Sequence, residues 1–233
     1  MDIDPFLTVS TSNFCNKSLL FQDANEEKLF YHNKKKIKTY KDGFYFKNPI
    51  DYTINKFGYR CNHVLPPDTD YILALGCSHT FGHSLHKEHR YTDLLESHYN
   101  IPVLNLGVSG GSCNLIKDNL LQLLNSGYKL PKIVILQWPN KLRLFYGTTR
   151  LQSTDLKQAT ETMESLQQYS ETSQCQTYWL LAKHNISFVD FSIFDPSNAD
   201  DIFYIDVARD FDHPGIDSNI KIFKYIKERI DGI

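Results

Sequence analysis

Tyr71-Ile72-Leu73-Ala74-Leu75, followed at once by Gly76-Cys77-Ser78-His79-Thr80-Phe81-Gly82, is the stretch that decides the fold. Five apolar residues in succession leave no polar face. A strand with one wet face would alternate, so this one is expected to be buried on both sides, as parallel strands under helices are. Three more runs read the same way. Val103-Leu104-Asn105-Leu106 stops at Gly107, Ile133-Val134-Ile135-Leu136 starts after Pro131, and Ile186-Ser187-Phe188-Val189 follows Asn185. A last short strand is expected at Phe203-Tyr204-Ile205-Asp206.

Helical patterns fill the gaps. Residues 91–98 carry Leu94 and Leu95; residues 114–125 carry Leu115, Leu120, Leu121 and Leu124, with Gly127 as the stop. Leu156, Ala159, Met163 and Leu166 form an amphipathic stripe expected to face the core. A final helix is expected over 218–229, capped by Asp217 or Ser218, with Phe223, Ile226 and Ile230 inward. Strand–helix alternation of this kind predicts a three-layer α/β/α fold around an open parallel sheet. Residues 1–68 differ: they are rich in Asn, Lys, Tyr and Phe, include Phe44-Tyr45-Phe46, and end at Pro66-Pro67. They are expected to form an N-terminal arm or cap with some β-structure, and residues 69–233 the α/β domain.

Composition narrows the function. The chain has 233 residues, 41% hydrophobic and 22% charged, with a formal net charge of −2. Such a balance gives no bulk attraction for nucleic acid or an anionic membrane. The basic run Lys34-Lys35-Lys36-Ile37-Lys38 is expected to be a solvated loop. Cys15, Cys61, Cys77, Cys113 and Cys175 include no CxxC pair, so neither a disulfide framework nor a structural zinc site is expected. With no apolar leader in Met1-Asp2-Ile3-Asp4-Pro5 and no run near the ~20 residues that span a bilayer, a cytoplasmic location is expected.

In an open α/β sheet, chemistry collects past the carboxyl ends of the strands. There the sequence places Ser78, the loop Gly107-Val108-Ser109-Gly110-Gly111, Asn140, and Asp210-Phe211-Asp212-His213. A serine hydroxyl needs a base to remove its proton, and imidazole suits that work near neutrality. A carboxylate three residues before the histidine can fix its tautomer. Alone, each piece also has an ordinary reading: Ser78 as a helix N-cap, Gly110-Gly111 and Asn140 as turn residues, Asp210 and Asp212 as solvated charge. His79, His83, His86 and His89 would share a face on a continuous helix and could ligate metal, but Gly82 interrupts them. No metal and no cofactor is expected; His79 or His83 is expected to line the substrate pocket.

These blocks, in this order, resemble the SGNH (GDSL-type) hydrolase family. Gly76-Cys77-Ser78 stands where that family has Gly-Asp-Ser. Asn105-Leu106-Gly107-Val108-Ser109-Gly110 matches its second block, Asn140 its third and Asp210-Phe211-Asp212-His213 its last. Ile54-Asn55-Lys56-Phe57-Gly58-Tyr59-Arg60 is similar to a stretch before the serine block in one branch. The resemblance spans roughly residues 54 to 230. It implies a flavodoxin-like sheet and an esterase, with Ser78, His213 and Asp210 as catalytic triad. The implied oxyanion hole is the N–H groups of Ser78 and Gly110 with the Asn140 amide. The implied substrate is an ester of an O-acetyl or other short acyl group, on a small molecule or carbohydrate. Two departures stand out: Cys77 replaces the aspartate, and Trp138-Pro139 and Lys141 surround Asn140 where the family has Gly-x-Asn-Asp. They keep open a second reading, a non-catalytic binding module on the same sheet.

Overall fold

In the computed structural model, the described residues are 18–20, 50–55, 57–63, 68–146, 149–152, 160–193, 205–210 and 212–233. The central sheet holds β3 (Ile72–Leu75), β4 (Val103–Asn105), β5 (Ile133–Trp138) and β8 (Ser187–Ser192), in the order β4-β3-β5-β8. All three pairings are parallel, with Ile72 opposite both Val103 and Ile133, and Ile133 opposite Ser187. Two small antiparallel pairs lie outside it: β1 (Ser18–Leu20) with β2 (Asp51–Thr53), and β6 (Arg143–Tyr146) with β7 (Thr149–Gln152).

The continuous apolar runs are explained by helices on both faces. Successive side chains of a strand point to opposite sides. Leu73, Leu75, Val134 and Leu136 accordingly join one buried cluster with Ile116, Leu120 and Leu123 of α3 (Cys113–Asn125) and Leu180 and Leu181 of α4 (Thr160–Lys183). Ile72, Ala74, Ile135 and Val189 join the other, with Tyr91 and Leu95 of α2 (Tyr91–Tyr99) and Ile222 and Ile226 of α5 (Ile216–Asp231). Each fully buried leucine or isoleucine contributes about 1.5–3 kcal/mol. The result is a three-layer α/β/α sandwich. Phe57, Tyr59 and Cys61 also lie in the first cluster, so the segment before β3 is part of the core.

Three expectations are corrected. Met163 is 44% exposed, whereas Leu166 is buried. The packed face of α4 continues through Ser170, Ser173 and Thr177, all buried. The hydroxyls of Ser173 and Thr177 donate to carbonyls four residues back at 3.0 and 2.8 Å, which satisfies them inside the interface with α3. Leu156 and Ala159 lie outside the described residues, as do Lys34–Lys38 and Phe44–Phe46. Second, Ile205 and Asp206 are not in a strand; Val207 makes only an isolated bridge to Pro214, and Phe203 and Tyr204 lie outside the described residues. Third, neither Asp217 nor Ser218 caps α5. Its N-cap is Gly215, and the missing acceptor comes from Asp206, whose carboxylate takes the N–H groups of Asp217 at 3.1 Å and Ser218 at 2.8 Å.

Sheet order fixes where a site belongs. From β3 the chain moves to β4 on one side and then to β5 on the other. β3 therefore sits at the topological switch point, where open α/β sheets leave a crevice outside the carboxyl ends of their strands. Among the described residues no helix is long and apolar enough to cross a membrane.

Candidate active site

Beyond β3 the backbone turns sharply into α1 (Ser78–Phe81), a single turn with Cys77 as its N-cap. Gly76 permits the turn, because a Cβ there would stand 2.1 Å from Thr80 Oγ1. Gly82 ends it at φ +75°, in the left-handed region. The glycine loop after β4 presses against this turn. A Cβ on Gly107 would meet the Phe81 nitrogen at 2.4 Å, and one on Gly111 would lie 3.5 Å from Cys77 Cα. Asn105 locks the two together, donating to the Thr80 carbonyl at 2.7 Å and accepting from the Gly107 N–H at 2.9 Å.

Cys77 and Ser78 point to different places. Cys77 is fully buried, and its thiol donates to Gln137 Oε1 at 3.0 Å; the same oxygen takes the Cys77 N–H at 3.0 Å. Ser78 Oγ lies 2.9 Å from His213 Nε2. His213 Nδ1 lies 2.6 Å from Asp210 Oδ2. Asp210 Oδ1 in turn accepts the N–H groups of Asp212 and His213, both at 3.1 Å. Burial alone would raise the Asp210 carboxyl, but these hydrogen bonds and the His213 imidazole outweigh it and hold it at about 2. A carboxylate so held stays charged across the working range and orients the imidazole it faces.

The three residues implied as a triad are thus joined hand to hand. Gly110, at φ +77°, belongs to the loop beside Cys77. No described residue takes the N–H of Ser78 or that of Gly110. Their neighbours' N–H groups are taken: Cys77's by Gln137, and Gly111's by the Val108 carbonyl at 2.8 Å. Asn140, two residues past β5, is half-buried, and its Oδ1 accepts the Leu142 N–H at 2.8 Å. No hydrogen bond among the described residues joins Asn140 to Ser78.

The four histidines separate as Gly82 requires. The ring centroids of His79 and His83 stand 5.4 and 4.6 Å from that of His213, while His86 and His89 face each other at 6.3 Å. Burial, then the neighbouring His213 and Arg143, push the His79 imidazole well below its ordinary value, so it is neutral.

Sequence reasoning missed the groups that brace this site. Gln137 reads as an ordinary polar residue at a strand end. Arg60 donates to the Gly82 carbonyl at 2.5 Å and the Leu85 carbonyl at 2.9 Å, and its guanidinium lies 4.0 Å from the centre of the Tyr52 ring. Tyr52 Oη accepts the Ser84 N–H at 2.5 Å, and the Ser84 carbonyl accepts the Arg209 N–H at 3.1 Å. This chain of bonds runs from the segment before β3, through the turn after α1, to the loop that carries Asp210 and His213. Arg60 closes the stretch at 54–60 singled out by the family resemblance, and that membership was the one sequence signal for it.

Ser78, His213 and Asp210 thus stand in hydrogen-bonded series at the switch point of an open parallel α/β/α sheet. Solved structures similar to this chain include a lipolytic protein of the G-D-S-L family from Veillonella parvula. It is 16% identical, with 71% of this chain and all of that chain covered, at a TM-score of 0.40. The psychrotrophic esterase EstA from Pseudoalteromonas sp. is 14% identical, with 70% and all covered, at 0.39. An active-site mutant of a family two carbohydrate esterase from Clostridium thermocellum is 13% identical, with 70% and 63% covered, at 0.39. No family model matches the chain, and no curated protein does. At these scores the neighbours lend no weight to the site, which stands on the geometry above.

Proposed function

We propose that this chain is an esterase in which Ser78 is the nucleophile, His213 the general base and acid, and Asp210 the group that orients His213. One observation carries the proposal: the unbroken series Ser78 Oγ–His213 Nε2 at 2.9 Å and His213 Nδ1–Asp210 Oδ2 at 2.6 Å. In that tautomer Nδ1 holds its proton toward the carboxylate and Nε2 is free to accept the serine proton as Oγ attacks an ester carbonyl. The open N–H groups of Ser78 and Gly110 and the Asn140 amide are suited to receive the oxygen that becomes negative. The protonated His213 then delivers its proton to the departing alcohol, and water repeats the sequence on the acyl-serine.

The His79 and His83 rings crowd His213, which favours a short acyl group such as acetyl over a long alkyl chain. A fluorophosphonate probe tests the nucleophile: it is expected to label the wild type at Ser78 and to leave Ser78→Ala unlabelled. Labelling that persists in Ser78→Ala would move the nucleophile to another residue, and a wild type that never labels while folded would favour the binding-module reading. Asn140→Ala is expected to lower kcat on an aryl acetate about 10²–10³-fold, the usual loss for one oxyanion donor; a change in KM alone would remove Asn140 from that role.

A further inference from the structure

We infer that His83, Asp210 and His213 form a binding site for a divalent transition ion of the zinc class, and that the ion, when bound, switches off Ser78. The inference rests on the esterase reading for its consequence, but not for the site itself. The three residues come from two separate segments. His83 follows Gly82 at the end of α1, and Asp210 and His213 lie on the loop before α5. Yet one ligand atom from each falls within 4.8 Å of the others. The His83 and His213 rings are near neighbours, centroids 4.6 Å apart and tilted by 49°. Two imidazole nitrogens and one carboxylate oxygen are a donor set suited to zinc, with a water in the fourth position.

The distances show what must move. Bonds of about 2.0–2.1 Å in a tetrahedron put neighbouring ligand atoms roughly 3.3 Å apart. The trio at up to 4.8 Å must therefore draw in by somewhat over an ångström. Rotation of the half-buried His83 ring is the readiest way to do so. The 2.6 Å between Asp210 Oδ2 and His213 Nδ1 is shorter than that tetrahedral spacing, so this pair must open to admit an ion, while Oδ1 stays held by the N–H groups of Asp212 and His213. Hydrogen bonds of this kind to a ligating carboxylate are what align ligands in metal sites generally. The backbone at His83 is also set, since its N–H donates to the Ser78 carbonyl at 3.0 Å.

Filling the site and running the triad are incompatible. An ion on His213 Nε2 takes the lone pair that would accept the serine proton. An ion on Nδ1 displaces the proton held toward Asp210. Either way the ion accepts one lone pair from each of three ligands, and any proton on the chosen nitrogen passes to solvent. Metal here is an inhibitor, and chelation restores or raises turnover.

Zinc alone, titrated calorimetrically into the full chain without substrate, decides the site. One equivalent is expected to bind, at least tenfold more weakly in His83→Gln and in His213→Gln, and unchanged in His86→Gln. Cobalt(II) on the wild type is expected to give the intense visible bands of a four-coordinate ion, a readout that needs no variant. Absence of stoichiometric zinc binding, or an affinity indifferent to His83→Gln and His213→Gln, overturns the site. If zinc binds as expected but fails to block fluorophosphonate labelling of Ser78, the inhibitory role is overturned. A chain that binds zinc at His83 yet never labels without it overturns the esterase reading and leaves the site standing.

Discussion

Asp206→Ala removes the acceptor that replaces a local cap on α5. The carboxylate takes the N–H groups of Asp217 and Ser218 at 3.1 and 2.8 Å, and Gly215 at the N-cap position offers no side chain in compensation. A charged acceptor on a backbone N–H is worth about 1.5–3 kcal/mol and a lost N-cap about 0.5–2 kcal/mol. The two orphaned N–H groups can recover part of this from water. A net loss of about 2–3 kcal/mol is expected, read as a lower urea midpoint with an unchanged m-value. Gly215→Ala provides the internal check. Its Cβ would stand 2.5 Å from Asp206 Oδ2 and 2.7 Å from the Val207 carbonyl. Removing the carboxylate relieves the first clash but not the second. The double variant should therefore be more stable than the sum of the two singles predicts, by about 1 kcal/mol. A loss under ~0.5 kcal/mol in Asp206→Ala, or strict additivity in the pair, would refute the remote-cap reasoning.

Asp210→Asn should leave the fold intact and lower kcat about 10⁴-fold, since an amide cannot hold the imidazole in the required tautomer; near-normal turnover would place the orienting group elsewhere. Cys77→Ala should keep most activity, and iodoacetamide should inactivate far more slowly than a fluorophosphonate, because the thiol faces Gln137 in the interior. Rapid inactivation with the alkyl group mapped to Cys77 would reverse the choice of nucleophile. Asp210 and Glu96 are both held at about 2, Glu96 against its own burial by hydrogen bonds from His63, the Val103 N–H and Asn62. In the unfolded chain such carboxyls titrate near ~4. Their contribution is therefore present in full above about pH 4–5 and lost as pH falls toward about 2. Urea midpoints should drop steeply across that window, and less in Glu96→Gln; a midpoint flat from pH 5 to 2.5 would contradict this.

The strands were legible because a sheet covered on both faces leaves a signal that survives any rearrangement of loops. Ile72 and Leu73 go to opposite helix layers and both must be apolar. The hydrogen-bonded series of Ser78, His213 and Asp210 was open to search because the family resemblance named those positions. Of the three only Ser78 follows a strand that the apolar pattern marks, since the strand expected before Asp210 did not form among the described residues. Less legible was anything satisfied at a distance. The α5 cap comes from Asp206, eleven residues before Asp217, so the local search settled on Asp217 or Ser218. The buried face of α4 is partly serine and threonine, whose hydroxyls bond their own helix, so an apolar stripe ending at Met163 and Leu166 described only its edge. Gln137 and Arg60 act through backbone carbonyls and N–H groups, and sequence carries no mark of such partners.

Ser78 and His213 are 135 residues apart along the chain. That separation makes the site a clock for folding. The serine turn can form as soon as β3, β4 and β5 pair, and Trp138 at the end of β5 can report that event by its fluorescence. The histidine arrives only when the loop before α5 closes and Ile222 and Ile226 seat against the sheet. Contacts between parts so distant in sequence form slowly. On the proposed function, Ser78 is therefore expected to gain its reactivity no earlier than the docking of α5. Reactivity toward a phosphonate, sampled through time, measures the docking of the last helix and nothing earlier.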